Sequence, residues 1–265
     1  MPRLASVWAA FAVCSALCGC GRDNAIVRLE WPAMGTVAAV QVRSPASGTV
    51  VPALRDCVRR VFSRVQKLLD AHDPGSELSR LARLDDAGVL AGCDPLVRPC
   101  YEAAFRLRDE TGGRFDPRWR GPDTLDLGAI AKGFAADLAA DAVRKLDVLD
   151  GCDGLLIDIG GNLLAAKGGW KVSVLGSRDS APFCLEEGAA VATSSDFFRG
   201  KHIFDAKTGL PATPAIRSVS VVHPSSAMIA DGLSTFCYIS GDRRDKAEDF
   251  VSRHHPDARI LWSDR

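Results

Sequence analysis

The chain has 265 residues, of which 47% are hydrophobic and 25% are charged, and its 33 basic and 33 acidic side chains give a formal net charge of zero. This composition is that of a globular protein large enough for one sizeable core or two lobes. The balanced charge and the aromatic content of only 7% disfavour nucleic-acid binding, which requires basic surfaces and stacking side chains.

The N-terminal segment resembles a bacterial lipoprotein signal. Arg3 precedes an apolar run from Leu4 to Leu17, shorter than the ~20 apolar residues of a membrane-spanning helix, and small residues lead to Cys20. We therefore expect residues 1–19 to be a signal peptide and the mature chain to begin at a lipidated Cys20, anchored to a membrane and facing the periplasm. Plain secretion, or a cytosolic protein with an apolar start, are the alternatives.

The cysteines after Cys20 could form disulfides in such an oxidising compartment. Cys93 and Cys100 flank a short loop that a disulfide could close, but spacing does not determine the connectivity. No Cys-x-x-Cys pair follows Cys20, which disfavours a zinc or thioredoxin-type site. Core packing is the expected role of most of them.

Hydrophobic periodicity predicts alternating groups of helices and strands. In chain order the predicted elements are strands Ile26–Trp31 and Thr36–Val42; helices Val51–Leu69, Ser76 to about Leu84, and Pro95–Thr111; a loop Phe115–Thr124; a helix Gly128–Leu146; strands Gly154–Ile159, Asn162–Ala166, Trp170–Leu175, Ala189–Thr193, His202–Phe204 and Ser218–Val222; helices Ala227–Cys237 and Arg244–Arg253; and a strand Arg259–Trp262. Strands clustered between helical groups favour an α+β fold with mostly antiparallel strands. No Gly-x-Gly-x-x-Gly follows a strand, so a dinucleotide would not be held as in a Rossmann fold.

One candidate phosphate site lies at the start of the predicted helix Gly128–Leu146. Backbone amides of residues 128–130 could face a phosphate there, and Lys132 could neutralise its charge. Asp126 could accept hydrogen bonds from a nucleotide ring or simply cap the helix. The structural alternative is a capped helix with a solvated lysine.

A candidate metal site lies in Ala230–Thr235, where Asp231 is followed one helical turn later by Ser234 and Thr235. Magnesium takes one or two carboxylates together with other oxygen ligands, so this helix face suits it. We expect Asp231 on the helix surface, where it contributes little to the core. Capping of the helix is the competing role for this aspartate.

A candidate acid–base residue, His202, lies on a predicted strand before a turn over Asp205–Gly209. Histidine titrates near neutrality and can act as a general base or orient a nucleophile. A lone histidine on a strand is more often structural.

Together and in this order, these segments resemble the ApbE family, the FAD:protein FMN transferases. The matching motifs are Met34-Gly35-Thr36, Ser76–Leu81, Gly113–Pro117, Ile130–Gly133, Asp158–Asn162, Ala192–Ser195 followed by His202–Asp205, and Asp231–Thr235. They cover nearly all of the chain after Cys20, which makes chance a poor explanation.

The resemblance implies an α+β, T-fold-related architecture, with mostly antiparallel sheets packed with helices and a cleft between two lobes that holds FAD. It implies that Mg²⁺ is held by the following residues, the first through its carbonyl oxygen: Ala129, Asp231, Ser234 and Thr235. The flavin-site residues that it implies are Met34, His72, Arg114, Phe115, Asp116, Asp126, Lys132 and Ile203.

The implied reaction moves FMN from FAD onto a threonine or serine hydroxyl of a partner protein, such as a membrane or periplasmic redox protein, and releases AMP. A weak hydroxyl nucleophile needs a base, and His202 or a group near Asp231 is expected to supply it. Two alternatives are an FAD pyrophosphatase, in which water attacks, and a lipoprotein that binds flavin without catalysis.

The sequence departs from the family pattern within its single expected domain, residues 20–265. Only Arg118 to Leu125 intervene between Pro117 and Asp126, where the family has a longer segment, so bound flavin is expected to be more exposed to water. Three substitutions accompany the shortening, with the residue usual in the family in parentheses: His72 (tyrosine), Phe134 (tyrosine) and Ala206 (proline).

Overall fold

A computed structural model of the chain describes residues 25–174, 182–197 and 200–264. The expected signal peptide, residues 1–19, and the expected anchor at Cys20 lie outside these ranges. In the described ranges, none of the helices combines the length and the apolar character that crossing a bilayer requires.

The described residues form eleven strands and seven α-helices. The strands are β1 (Ile26–Ala33), β2 (Thr36–Arg43), β3 (Gly154–Ile159), β4 (Asn162–Lys167), β5 (Trp170–Val172), β6 (Phe183–Leu185), β7 (Ala190–Ser195), β8 (Phe204–Asp205), β9 (Leu210–Pro211), β10 (Ile216–His223) and β11 (Arg259–Asp264). The helices are α1 (Val50–Leu69), α2 (Glu77–Leu81), α3 (Asp86–Gly92), α4 (Arg98–Glu110), α5 (Ala131–Val143), α6 (Ala227–Ile239) and α7 (Arg244–His254).

Seven strands build one antiparallel sheet in the order β1-β2-β3-β4-β7-β10-β11. The period of two along β3 divides its side chains between two cores: Ile157 faces the main core, whereas Leu156 faces a smaller one. Helices α1, α5 and α6 pack in the main core, and the β5–β6 hairpin covers the smaller core with Trp170 and Leu185. The sheet is therefore covered on both faces, and its polar loops gather at the strand ends.

Helices α5 and α6 cap one another. Asp231 in α6 accepts a 3.0 Å hydrogen bond from the amide of Gly133 in the first turn of α5. In return, Asp137 in α5 accepts hydrogen bonds from the amides of Ala227 (2.7 Å) and Met228 (3.0 Å) at the start of α6. First-turn amides have no partner within their own helix, so each helix satisfies donors of the other and their relative position is fixed.

The antiparallel α+β class predicted from the sequence is confirmed, and most predicted elements are present. The short elements α3, β6 and β9 were not predicted, because they are too short to display a hydrophobic period. Helix α5 begins at Ala131 rather than at Gly128. His202 precedes β8 instead of lying on a strand, so that prediction was wrong for this residue.

The six described cysteines are free thiols, and five of them are buried. The loop between Cys93 and Cys100 is thus not closed by a disulfide in this structure. Burial raises the pKa of the Cys100 thiol and of the Cys237 thiol, which keeps both in the neutral form. Their role is core packing, as expected for most of the cysteines.

Candidate functional site

A cavity of about 450 Å³ lies where the end of the sheet meets the N-terminal part of α5 and the middle of α6. Its walls include the β3–β4 turn, the end of β7 and the segment before β8. Ten of the residues proposed from the sequence line it: His72, Phe115, Asp116, Asp126, Ala129, Lys132, His202, Ile203, Asp231 and Thr235. Segments that are distant in the chain therefore converge on one cavity.

Met34, which is expected to contact flavin, is not among the residues that line this cavity. It forms the two-residue β1–β2 turn with Gly35, and both have positive φ, at 48° and 69°. That turn type matches the twist of the flanking strands, although positive φ is unfavourable for methionine. Gln66 Oε1 accepts a 2.8 Å hydrogen bond from the Met34 amide, which ties the turn to α1.

Arg114 does not line the main cavity either. Its guanidinium forms a 2.9 Å ion pair with Asp205, and both residues line a neighbouring cavity of about 240 Å³. Because Asp205 is three residues after His202, this ion pair anchors the segment that carries the histidine. The expected contact of Arg114 with flavin stays a prediction.

Ser234 is fully buried and is not a cavity-lining residue. Its hydroxyl donates to the Asp231 carbonyl at 2.9 Å and lies 2.8 Å from Ser194 Oγ. Both bonds are internal to the fold. The Ser234 hydroxyl therefore stabilises α6 and its contact with β7 instead of offering a metal ligand. Thr235, on the next position of the helix, does line the cavity.

The amides proposed to face a phosphate are largely occupied. The Gly128 amide donates to Asp126 Oδ1 at 2.8 Å, and the Ile130 amide donates to the Leu127 carbonyl at 3.0 Å. The residues from Leu127 to Ile130 thus form a turn that precedes α5. The prediction that amides 128–130 face a phosphate is therefore wrong for two of these three donors. Lys132 still supplies positive charge to the cavity.

Lys132 and Asp231 form the charged centre of the cavity. The Lys132 Nζ atom lies 2.9 Å from the Gly128 carbonyl oxygen and 3.4 Å from Asp231 Oδ1. Asp231 is only 4% exposed, which corrects the expectation of a surface carboxylate. Burial and the bond to Gly133 make it part of the contact between α5 and α6 as well as part of the cavity wall.

This centre fits a hard divalent cation. A carboxylate, the Thr235 hydroxyl and carbonyl oxygens near Ala129 are oxygen donors of the kind that Mg²⁺ prefers. The ammonium group of Lys132 already lies between a carboxylate and a carbonyl oxygen, which shows that the position stabilises positive charge. Across the three described ranges, His, Cys, Asp and Glu side chains nowhere gather in a group of three that could hold a metal.

His202 is exposed at the cavity and lies near the Arg114–Asp205 ion pair. Its Nδ1 atom is 2.8 Å from the Gly200 carbonyl oxygen. A carbonyl has no hydrogen to give, so Nδ1 must carry the proton and donate. In the neutral ring the lone pair is then on Nε2, which is the arrangement that a general base requires.

The β3–β4 turn contributes two buried polar side chains to the lining. Burial raises the pKa of the Asp158 carboxyl, while Arg28, at 3.2 Å, opposes this shift. Asn162 is 2% exposed, and its side-chain nitrogen has no hydrogen-bond partner among the described residues. A buried amide donor without a partner costs free energy, which a polar ligand in the cavity would recover.

Sequence reasoning missed Trp119 and Arg120, which line the cavity from the short segment 118–125. The Trp119 ring stacks on Phe204 with centroids 4.2 Å apart and an interplanar angle of 16°. Its Nε1 atom donates to Asp126 Oδ2 at 3.3 Å. The sequence did contain a signal for these two residues: Trp119 lies beside arginines in a loop that two candidate site segments flank.

Known proteins resemble this chain over most of its length. The ApbE family model matches residues 119–262 of the chain. The FAD:protein FMN transferase of Vibrio cholerae is 31% identical over 87% of this chain and 86% of its own length, and that of Haemophilus influenzae is 22% identical over 96% and 92%. The crystal structure of the flavinyl transferase ApbE of Pseudomonas stutzeri superposes with a TM-score of 0.70 at 20% identity, covering 91% of this chain and 92% of that one. The chain therefore belongs to the ApbE family.

Proposed function

We propose that this protein transfers FMN from FAD onto a threonine or serine hydroxyl of a partner protein and releases AMP. The observation that carries the proposal is the convergence of Lys132, Asp231, Thr235 and His202 on one cavity. Family membership and relatives named FAD:protein FMN transferase support it.

In this reaction the acceptor hydroxyl oxygen attacks the phosphorus on the FMN side of the pyrophosphate. A new P–O bond forms, the bond to the AMP phosphate breaks, and the hydroxyl proton passes to a base. Lys132, only 18% exposed, would bind the pyrophosphate through charge-assisted hydrogen bonds and stabilise the charge that develops on the leaving AMP. Its ammonium group would exchange the Gly128 carbonyl for a phosphate oxygen.

We propose Mg²⁺ as the cation at the charged centre, held by the Asp231 carboxylate, the Thr235 hydroxyl and the Ala129 carbonyl. When bound, it would neutralise pyrophosphate charge and fix its orientation. Asp231 has the further task of keeping Gly133 and α5 in place, so the cation site and the helix contact share one carboxylate.

His202 is the proposed base. Its Nδ1–H group is held by the Gly200 carbonyl, so the neutral ring presents Nε2 as the acceptor for the proton of the attacking hydroxyl. The Arg114–Asp205 ion pair, at 2.9 Å, would keep this segment at the mouth of the cavity.

The test is mass spectrometry of an acceptor domain incubated with the purified protein, FAD and Mg²⁺. The acceptor is taken from a bacterial redox protein that carries FMN on a threonine, and the matched control replaces that threonine by valine. The proposal predicts an adduct with the mass of FMN on the threonine acceptor alone. Free FMN plus AMP without an adduct would establish the pyrophosphatase instead, and unchanged FAD would leave only flavin binding.

We further propose that the mature protein is anchored through a lipidated Cys20 and faces the periplasm, where membrane-bound or periplasmic redox proteins are its acceptors. The apolar run Leu4–Leu17 followed by Cys20 supports this. Replacing Cys20 by serine should release the protein from the membrane fraction. Equal membrane association of both forms would contradict lipid anchoring.

A further inference from the structure

The short segment 118–125 forms an aromatic wall of the cavity. The rings of Trp119 and Phe204 are nearly parallel, and the guanidinium carbon of Arg120 lies 4.5 Å from the centroid of the Trp119 ring. The indole is therefore covered both by the Phe204 ring and by the Arg120 guanidinium. Both Trp119 and Arg120 line the cavity.

The position of Trp119 is fixed by its neighbours in this segment. The Arg118 guanidinium donates to the carbonyls of Ala82, Leu84 and Pro122 at 2.6–2.8 Å and to Asp86 at 3.2 Å. Because these bonds hold the backbone beside Trp119, a ligand would meet a ring that is already placed. Preorganisation of this kind lowers the entropy cost of binding.

The cover provided by Arg120 is easily displaced. The Arg120 side chain is 43% exposed, and its ion pair with Asp126 is long, at 3.4 Å. Exposed cation–π contacts and exposed ion pairs are both weak. A planar aromatic ring entering the cavity could therefore take the Trp119 face that Arg120 occupies, and so gain stacking area.

We propose that Trp119 is a substrate-contacting residue that stacks on an aromatic ring of FAD, with Arg120 as the displaceable cover of that face. The inference rests on the proposed function, since it takes FAD as the ligand. The ring is either the isoalloxazine or the adenine, because both are flat and both carry N–H groups that the neighbouring Asp126 carboxylate could accept from. The short segment would thereby supply a binding wall of its own.

The test is equilibrium titration of the purified protein with FAD, FMN and ADP, for wild type and for the variants Trp119→Ala, Trp119→Phe and Arg120→Ala. Trp119→Ala should weaken FAD binding about tenfold or more, the size expected for loss of one ring stack, and Trp119→Phe should weaken it less. Arg120→Ala should bind FAD as tightly as wild type or more tightly. Trp262→Phe, in β11 outside the cavity lining, is the matched control and should bind as wild type does.

The two single-ring ligands identify the ring. Loss of FMN affinity with unchanged ADP affinity assigns the isoalloxazine, and the reverse assigns the adenine. If Trp119→Ala is unfolded by circular dichroism, Trp119→Leu is compared with Trp119→Phe, and only the aromatic side chain should retain affinity. Wild-type affinity for FAD in Trp119→Ala, or in Trp119→Leu, would overturn the inference. Failure of the wild-type protein to bind FAD would instead overturn the proposed function, and this inference with it.

Discussion

The carboxylate of Asp231 in α6 accepts a 3.0 Å hydrogen bond from the backbone amide of Gly133 in α5. The candidate metal ligand is thus also a cap for the neighbouring helix, whose own preceding residue, Ile130, has no polar side chain to offer. The same carboxylate therefore serves the proposed metal site and the contact between α5 and α6. Substitutions at this position must be chosen so that the two roles are separated.

Asp231→Asn should separate them. The amide oxygen of asparagine can still accept the bond from Gly133, whereas the loss of negative charge weakens a Mg²⁺ site. We expect Mg²⁺-dependent FMN transfer to be abolished in Asp231→Asn, with a melting temperature close to that of wild type. Asp231→Ala should lose activity and, in addition, about 0.5–2 kcal/mol of stability, the usual worth of a cap. Activity measurements and thermal denaturation of both variants check this, and full Mg²⁺-dependent turnover in Asp231→Asn would remove the proposed metal site.

Gly133→Ala should disturb the contact between α5 and α6. A Cβ atom at this position would lie 2.1 Å from the Ala227 carbonyl oxygen and 2.8 Å from the Asp231 Cβ. The helices must move apart to accept it, which should cost about 1–3 kcal/mol of stability. Gly48→Ala is the matched control, because a Cβ there would meet no atom within 4 Å. Urea denaturation that gave both variants the same stability would contradict the close packing of α5 and α6.

Lys132→Ala should weaken FAD binding by about 1–3 kcal/mol, the range for a lost charge-assisted hydrogen bond. Lys246→Ala, on the exposed face of α7, removes the same charge away from the cavity and should bind FAD as wild type does. Fluorescence titration of both variants measures the difference. Equal affinities would show that the pyrophosphate does not contact Lys132.

The stability that His223 and His255 contribute should fall as the pH is lowered from about 7.5 to about 5. Burial lowers the pKa of His223 and of His255 below the ordinary value of 6.5. The charge of His255 lowers the pKa of His223 further, whereas Glu110 partly opposes the shift of His255. A histidine with a depressed pKa in the folded state binds fewer protons than in the unfolded chain. Its contribution to stability is therefore fully present above 6.5 and is lost as the pH falls through the lowered folded values.

Urea denaturation at several pH values measures this dependence. The double variant His223→Asn and His255→Gln keeps hydrogen-bonding capacity without titration, so its stability should change less over the same pH range. An identical pH dependence in the variant and in wild type would assign the effect to other groups.

Sequence reasoning anticipated the segments of the site better than their local geometry. Four residues of the cavity lining could be predicted from the sequence, because each lies in a recognisable motif: Lys132, His202, Asp231 and Thr235. Burial could not be read in the same way: Asp231 was expected on the surface because a helix period does not show that a second helix covers it.

Contacts between distant residues and the local geometry of loops and helix ends could not be predicted from the sequence either. The pairing of Arg114 with Asp205 joins residues 91 positions apart, and periodicity carries no information on such a contact. Trp119 lies in a loop without a repeating pattern, so its stack on Phe204 could be found only from the structure. The predicted helix start at Gly128 failed because Asp126 and Leu127 hold the preceding residues in a turn.

FMN transfer is tested most directly by one reaction in which three products are quantified together: AMP, free FMN and FMN bound to the acceptor. The purified protein is incubated with FAD, Mg²⁺ and the threonine acceptor, and a parallel reaction contains the Asp231→Asn variant. Mg²⁺-dependent FMN transfer should give AMP and acceptor-bound FMN in equal amounts with little free FMN, and neither product should form with the variant or after chelation of Mg²⁺. AMP matched by free FMN rather than by acceptor-bound FMN, or transfer that continues without Mg²⁺, would contradict it.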